Sequence, residues 1–480
     1  MSKTTRYDLV VIGSGPSGQK AAIQARKLGK KVAIVDPNPK IGGNCLHDGT
    51  IPSKSFREAI LHLSGYRERS HYGKAYTVKE NIEMRDLTDR SGGIEIEIEQ
   101  TVRSQLLRNK AEIILGRASF LDPHTILVQS QDTERVLNTD KVIIAVGTRP
   151  WRPTSFQFGN GTILDSDDIL RMDSIPKSLA VVGGGVIGCE YGSMFAALGV
   201  KVTIVEQRSS ILGFLDTELI DALVYNLRQE KTCIITGDKV VHCGPSPDGR
   251  AVTYLESGRR IVSEKLLVSA GRVGNVEGLG LEKVGIDSDT RGLIKVNKSY
   301  QTSVENIYAV GDVIGSPALA STGQEQGRRA ACHAFGLQEN SMEIPLPFGI
   351  YSIPEIAMVG ATEMELRATK TPYEYGIARF SEIERGKIAG DNVGVLKLLF
   401  HRQTLRLLGV HIIGEDATEL IHIGQTVLGF GGGIDYFVNA VFNYPTLSQS
   451  YKTAALDGWN KIIASESLPD EIPIADSDLH

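Results

Sequence analysis

Cysteine is scarce in this 480-residue chain: there are five, Cys45, Cys189, Cys233, Cys243 and Cys332, an odd number with no C-x2-C pair among them. Neither a disulfide framework nor a paired-cysteine zinc site is supported, and no metal site is expected. The chain also has no long Lys/Arg run and carries a formal charge of −5. It therefore has no electrostatic footprint for a phosphate backbone, and nucleic acid is not an expected partner. Hydrophobic residues at 41% and charged residues at 23% are ordinary globular values, which argues against both a disordered chain and a bundle of membrane spans. The segment Met1 to Arg6 is short and polar and runs straight into Leu9 to Ile12, leaving no room for a signal peptide. The expectation is a cytoplasmic protein of about three domains.

Glycine is the residue in excess, 51 in all, clustered at Gly13 to Gly18, Gly183 to Gly188 and Gly431 to Gly433. Clustered glycines point to tight turns, and two of these clusters sit in the same design. Residues 7–12 are an apolar strand, followed by Gly13-Ser14-Gly15-Pro16-Ser17-Gly18, a helical run through Ala21, Ala22, Ala25 and Leu28, and a second strand ending at Asp36. Residues 178–206 repeat the pattern: a strand into Gly183-Gly184-Gly185-Val186-Ile187-Gly188, a helical run over 190–198 closed by Gly199, and a strand ending at Glu206. Each is a βαβ unit with strands apolar enough to be buried on both faces.

In each G-x-G-x-x-G turn the first glycine makes the tight bend and the second lets a pyrophosphate approach the backbone. The third lets helix and strand pack closely, and the phosphates meet a helix N-terminus. Asp36 and Glu206 each stand 18 residues past their last glycine, where a carboxylate can accept hydrogen bonds from ribose hydroxyls. Glu206 favours the free 2′-hydroxyl of NAD, whereas Arg208 is close enough to neutralise the 2′-phosphate of NADP, so the choice between them stays open. Two dinucleotide sites in one chain suggest a flavoprotein with a resident flavin and an exchanging nicotinamide.

Prolines at 150, 153 and 176 separate the two units, and Pro345 and Pro347 mark a second boundary. Beyond it, strands such as Val395 to Phe400 mix with an amphipathic helix near 417–428. The expected fold is α/β: two Rossmann-like dinucleotide-binding domains plus an α+β C-terminal dimerisation domain. Residues 466–480 carry five acidic residues and no Lys or Arg, and read as a solvated tail.

The stretch Gly42-Gly43-Asn44-Cys45-Leu46-His47-Asp48-Gly49-Thr50-Ile51-Pro52-Ser53-Lys54 resembles the redox segment of the flavoprotein disulfide reductases, whose pattern is GG-x-C-x4-C-x-P-S-K. The resemblance covers nearly the whole chain and includes Ala145-Val146-Gly147, Ala270-Gly271-Arg272 and the segment 302–312. It implies FAD as cofactor, with Asp312 on the ribitol, Lys54 beside the flavin ring and paired with Glu190, and Gly116 to Ala118 at the adenine. It also implies a two-fold homodimer or higher homo-oligomer, with an FAD domain at 1–150 and 276–345, a nicotinamide domain at 151–275 and an interface domain at 346–465. No membrane partner is expected.

Two departures from that pattern bear on the reaction. Thr50 stands where the family has its second redox cysteine, and a hydroxyl cannot exchange with a disulfide. Tyr444 and Gln449 stand where the family has a histidine and a glutamate, and a phenol with an ordinary pKa near 10 is a poor base at neutral pH. Cys45 is left as either a small packing residue or one that tunes the flavin. The combination resembles one branch of the family, the soluble Si-specific pyridine nucleotide transhydrogenases. The implied reaction is a ping-pong hydride exchange between NADPH and NAD through a flavin, with Lys54, Glu190 and Cys45 as catalytic candidates. Competing readings are an NAD(P)H-dependent quinone or dye reductase and a flavin-binding structural pseudoenzyme. His422 is expected to be structural, on the apolar face of its helix. His47 and Asp48 are possible flavin neighbours, and the other four cysteines are read as small buried hydrophobes.

Overall fold

The computed structural model describes residues 5–131, 133–159, 161–337 and 344–466. The expected tail at 466–480 lies, apart from its first residue, outside the described residues. The first sheet has seven strands. Glu112–Leu115, Val32–Asp36, Thr5–Ile12 and Glu134–Ile144 run parallel in that order, Ile307–Ala309 pairs in parallel with the last of them, and Thr125–Gln129 and Arg117–Asp122 add an antiparallel extension. Its apolar strands are explained by period two. Val10 and Ile12 pack into one core with Val35 and Ile144, while Leu9 and Val11 pack into another with Ala21, Ala22 and Ala25 of helix Pro16–Lys27. Each such valine, leucine or isoleucine, fully buried, contributes about 1.5–3 kcal/mol, so a polar substitution on either face would be felt.

The second unit repeats this in a five-stranded parallel sheet, ordered Cys233–Thr236, Lys201–Glu206, Ser178–Val182, Lys265–Val268 and Ile163–Leu164. Leu179 and Val181 face one core, Ala180 and Val182 another. Its helix runs Val186–Ala197, starting a full turn before the expected 190. Gly185, extended, caps it directly, and Gly188 already belongs to the helix. Gly199, at φ +83°, follows the cap residue Leu198 and ends the helix in the left-handed region. Antiparallel strands Thr148–Pro150 and Arg272–Gly274 link the two units.

The third region is a five-stranded antiparallel sheet, ordered Phe348–Ile350, Glu355–Gly360, Leu407–Gly414, Val395–His401 and Tyr373–Arg379. Helices Ala417–Gly429 and Gln449–Glu466 pack with it around a core that includes Phe400, Phe437 and Tyr451. The expected α/β fold class is what the chain adopts.

Candidate functional site

The first glycine turn shows why it needs glycine. A Cβ on Gly13, at φ +107°, would lie 2.3 Å from the Ala145 carbonyl oxygen, and one on Gly18 would lie 2.0 Å from that of Gly13. A Cβ on Gly15 would meet nothing within 4 Å. The outer glycines are thus fixed by the protein's own packing, while the middle one leaves open space before the N-terminus of helix Pro16–Lys27, where phosphate is favoured. The second turn has the same division. Gly183 and Gly188 would clash with the Ser269 and Gly183 carbonyl oxygens at 2.5 and 2.0 Å, and Gly185 is open. Both turns therefore fit a dinucleotide.

The two acidic residues are held alike. Asp36, buried, accepts hydrogen bonds from the Ser14 N–H at 2.8 Å and the Asn38 N–H at 2.9 Å. Glu206, also buried, accepts from the Gly184 N–H at 2.7 Å and the Arg208 N–H at 2.9 Å.

From the first turn a cleft of about 940 Å³ runs to the start of helix Val186–Ala197. It brings together ten of the residues singled out from the sequence: Gly13, Gly15, Asp36, Gly43, Cys45, Lys54, Ala118, Gly147, Glu190 and Asp312. Gly18, Gly42, Gly116, Gly183, Gly185, Gly188, Glu206, Arg208 and Gly271 do not line it. Gly42 and Gly116 stand behind its wall, their N–H groups bonded to the Ser14 hydroxyl and the Asp36 carbonyl. The Gly271 carbonyl accepts from the Trp151 N–H. Glu206 and Arg208 stand beside the second turn.

Lys54, on helix Thr50–Leu63, and Glu190, on helix Val186–Ala197, form an ion pair at 2.8 Å. The second Glu190 oxygen accepts from the Tyr351 N–H at 2.8 Å, and the Lys54 ammonium lies 4.8 Å from the centre of the Tyr351 ring. Three separate parts of the chain thus fix one charge pair. Tyr351 was missed from the sequence, where nothing local distinguishes it.

Asp312 has its carboxyl pushed up by burial; the Arg272 charge and the Thr148 hydroxyl, donating at 3.4 Å, act against this. Arg272 in turn donates to the Thr148 hydroxyl at 2.8 Å and to its carbonyl at 2.8 Å. Burial also pushes the Cys45 thiol up, opposed first by a hydrogen bond from Thr50. An exchangeable disulfide would need a thiol where that hydroxyl stands.

Several residues outside this set depart from expectation or take other partners. His422 is not on the apolar face of its helix: Ile421, Gly424 and Val427 make that face, and His422 is exposed at the rim of the cleft, bonded to Gln425. Cys233 is exposed because it starts an edge strand, whereas Cys189, Cys243 and Cys332 are buried. Asp48 is ion-paired with Arg171, while His47 bonds the Ile41 carbonyl; both also line the cleft. Tyr444 is exposed and does not line it, and the Gln449 amide oxygen is buried without a partner. Asp216, Glu218 and Glu363 place carboxylate oxygens within 4.8 Å of one another, but the fully buried Lys397 ammonium bonds all three and supplies the positive charge there.

Residues 7–327 match the pyridine nucleotide-disulphide oxidoreductase family, and residues 346–455 match that family's dimerisation domain. The chain belongs to this family. Among its relatives, a soluble pyridine nucleotide transhydrogenase of Mycobacterium bovis is 51% identical over 460 residues, covering 95% of this chain and 98% of that protein. The protein of the same name from Serratia proteamaculans is 42% identical, covering 96% and 100%. Among solved structures, the HOCl-induced flavoprotein disulfide reductase RclA of Escherichia coli superposes with a TM-score of 0.84 at 25% identity, covering 94% of this chain and 99% of that one. LpdA of Mycobacterium tuberculosis gives 0.86 at 26%, with the same coverage. Among the described residues no helix is long and apolar enough to cross a membrane.

Proposed function

We propose that this protein is an FAD-dependent, Si-specific transhydrogenase that moves hydride from NADPH to NAD+ without a redox disulfide. The observation that carries the reading is Thr50 facing Cys45 beside an intact Lys54–Glu190 pair: the nicotinamide half of the family's chemistry keeps its parts and the thiol half does not. Relatives at 42–51% identity that are named soluble pyridine nucleotide transhydrogenases support it.

FAD would be held by the Gly13–Gly18 turn, Asp36, Gly42, Gly43, residues 116–118, Gly147 and Asp312. When bound it supplies a group that accepts hydride from one nicotinamide and yields it to another. The chain's own residues bind and orient. Glu190 and Tyr351 hold the Lys54 charge at one place in the cleft, and the open Gly185 turn receives each nicotinamide nucleotide in succession. Hydride enters and leaves without a net proton, so no side-chain acid or base is needed. Residues 1–150 with 276–345 would form the FAD domain, 151–275 the nicotinamide domain and 346–465 the interface domain of a cytoplasmic homodimer.

Stopped-flow mixing of the FAD-loaded protein tests the reading. NADPH is expected to bleach the flavin without oxygen, and NAD+ is expected to restore it faster than a quinone does. Faster quinone turnover would make the protein a quinone reductase, and a flavin that NADPH leaves unbleached would make it a binding subunit. Stereospecific deuterium on the nicotinamide C4 of NADPH reads which hydrogen is transferred.

A further inference from the structure

A turn buried inside a protein must have its backbone groups paired by the protein itself, because bulk water cannot reach them. Residues 351–354 are such a turn. They join strands Phe348–Ile350 and Glu355–Gly360, and Ser352 and Ile353 are buried. Side chains from elsewhere in the chain supply the partners. The Tyr351 N–H donates to Glu190 at 2.8 Å, the Ile353 N–H donates to the Ser193 hydroxyl at 3.0 Å, and the Ile353 carbonyl accepts from Asn226 at 3.2 Å. The Ser352 carbonyl accepts from Arg57 Nε at 3.1 Å.

Arg57 comes from helix Thr50–Leu63, and it completes a closed circuit. Lys54 and Arg57 stand three positions apart on that helix, where side chains are neighbours. From Lys54 the contacts run to Glu190, from Glu190 to the Tyr351 N–H, along the chain to the Ser352 carbonyl, and back to Arg57. A lysine ammonium on its flexible four-carbon stem has no fixed place of its own. In a closed circuit its far end is referred back to the helix that carries it.

The rest of the Arg57 guanidinium holds the circuit in place. Its Nη1 lies 2.7 Å from Glu58 and 3.1 Å from Glu355, and Glu355 also accepts from the Thr418 hydroxyl at 2.9 Å. Both Arg57 and Glu355 are buried. A buried ion pair gains little net stability over a well-packed apolar replacement, so stability alone does not account for an arginine here. What no apolar residue supplies is a planar fork that bonds a carbonyl and a carboxylate at once.

We propose that Arg57 is a positioning residue for hydride transfer: it fixes the turn whose Tyr351 N–H fixes Glu190, and so sets where the Lys54 ammonium stands in the cleft. The proposal rests on the reading that this charge faces a bound flavin.

Two variants open the circuit. Arg57→Met removes the fork. Arg57→Met combined with Glu355→Gln does so without leaving a buried unpaired carboxylate, which keeps the test usable if the single variant does not fold. Leu223→Ala, in the apolar core that also holds Ile353, is the control for lost stability alone. Hydrogen exchange in peptides spanning 350–356 is expected to quicken about two- to tenfold in the Arg57 variants, as for the loss of one buried hydrogen bond. In the FAD-loaded protein the flavin reduction potential is expected to shift. Flavin reduction at saturating NADPH is expected to slow about 10- to 100-fold, as for a misplaced group, with the NADPH concentration at half-saturation little changed. Leu223→Ala is expected to lower the denaturation midpoint and to leave the potential and the reduction rate near wild type. The same shift and slowing in Leu223→Ala would make Arg57 merely structural and overturn the proposal, as would an unchanged potential and rate in folded Arg57 variants. Failure of the transhydrogenase reading is distinguishable: NAD+ would not restore the flavin, while exchange at the turn and the potential would still respond to Arg57.

Discussion

The two βαβ units share strand order, glycine spacing and the two-bond anchoring of their acidic residue, yet they are set in the molecule differently. The helix that follows the first turn is walled by a second helix. Helix Ala320–Ala334 packs against helix Pro16–Lys27 so tightly that a Cβ on Gly327 would lie 2.0 Å from the Ser17 carbonyl oxygen, and one on Gly323 2.4 Å from the Ser17 hydroxyl. Among the described residues the second turn's helix has no such glycine contact with another helix. The middle glycine faces open space in both turns, and only the second unit's acidic residue has an exposed arginine, Arg208, beside it. The same local motif can therefore build a walled site suited to a resident cofactor and an open one suited to exchange. What decides between them is the packing laid over the turn, which the motif does not encode.

The second unit meets the rest of the chain through a shared apolar core, in which Phe195 and Leu223 lie with Phe56, Ile356 and Ile413, and through a buried charge cluster, at which the largest test is aimed. Lys397 of strand Val395–His401 is fully buried and bonds Asp216 at 2.8 Å, with Glu218 and Glu363 as its other partners. Asp216 and Glu218 flank the start of helix Thr217–Gln229 in the second unit. Removing the ammonium leaves the buried Asp216 carboxylate facing Glu218 and Glu363 with no counter-charge from Lys397, so Lys397→Met is expected to destabilise the protein by about 3–5 kcal/mol, read by denaturant titration. A midpoint within error of wild type would show that the cluster is not a tie between the regions.

A pair of glycine variants tests the comparison at the turns themselves. Gly327→Ala forces two helix backbones apart and is expected to cost about 1–3 kcal/mol or more, with lower flavin content per chain. Gly185→Ala meets no protein atom within 4 Å. It is expected to leave the melting temperature and the flavin content near wild type, while nicotinamide nucleotide binding weakens because the added methyl group occupies the space before the helix N-terminus. If the two variants behaved alike, the division into walled and open sites would be lost.

A smaller local effect is expected at the charge pair in the cleft. Tyr351→Leu keeps the N–H on Glu190 but removes the ring beside Lys54, a cation–π contact of about 0.5–2 kcal/mol. The flavin reduction potential in Tyr351→Leu is expected to move, and that in Tyr351→Phe to stay. An equal shift in both would assign the effect to the hydroxyl.

Much of this was legible in the sequence, for physical reasons. Tight glycine turns and doubly apolar strands leave local patterns, so both units and the α/β class could be read directly. So could the pairing of Lys54 with Glu190, through resemblance to a known redox segment. Tyr351 and Thr148 left no such trace, because their roles come from long-range packing: Tyr351 lies 161 positions from the carboxylate it holds. His422 was misplaced because the helix Ala417–Gly429 is apolar over more of its surface than the strip it buries, and periodicity alone put the histidine inside. Cys233 was misread because composition favours burial of cysteine, while its position on an edge strand decides otherwise.

The link between the units holds a final, pH-dependent difference. Asp167 has its carboxyl raised from an ordinary 3.8 to about 6, chiefly by burial, with the Arg272 charge opposing and Asp165 and Asp48 adding to the rise. Its nearest counter-charge, Arg272, is 3.9 Å away, too far for a strong hydrogen bond. Because the folded state binds this proton more tightly than the unfolded chain does, stability from this group is highest below about pH 4. It declines as pH rises towards 6 and then levels off. The group is partly screened by solvent, which limits the effect to about 1–2 kcal/mol. Asp167→Asn removes the ionisation and is expected to stabilise the protein by that amount at pH 7.5 and to leave it unchanged at pH 4. Equal gains at both pH values would assign the effect to packing. No gain at either would mean that the Arg272 contact already compensates the buried charge.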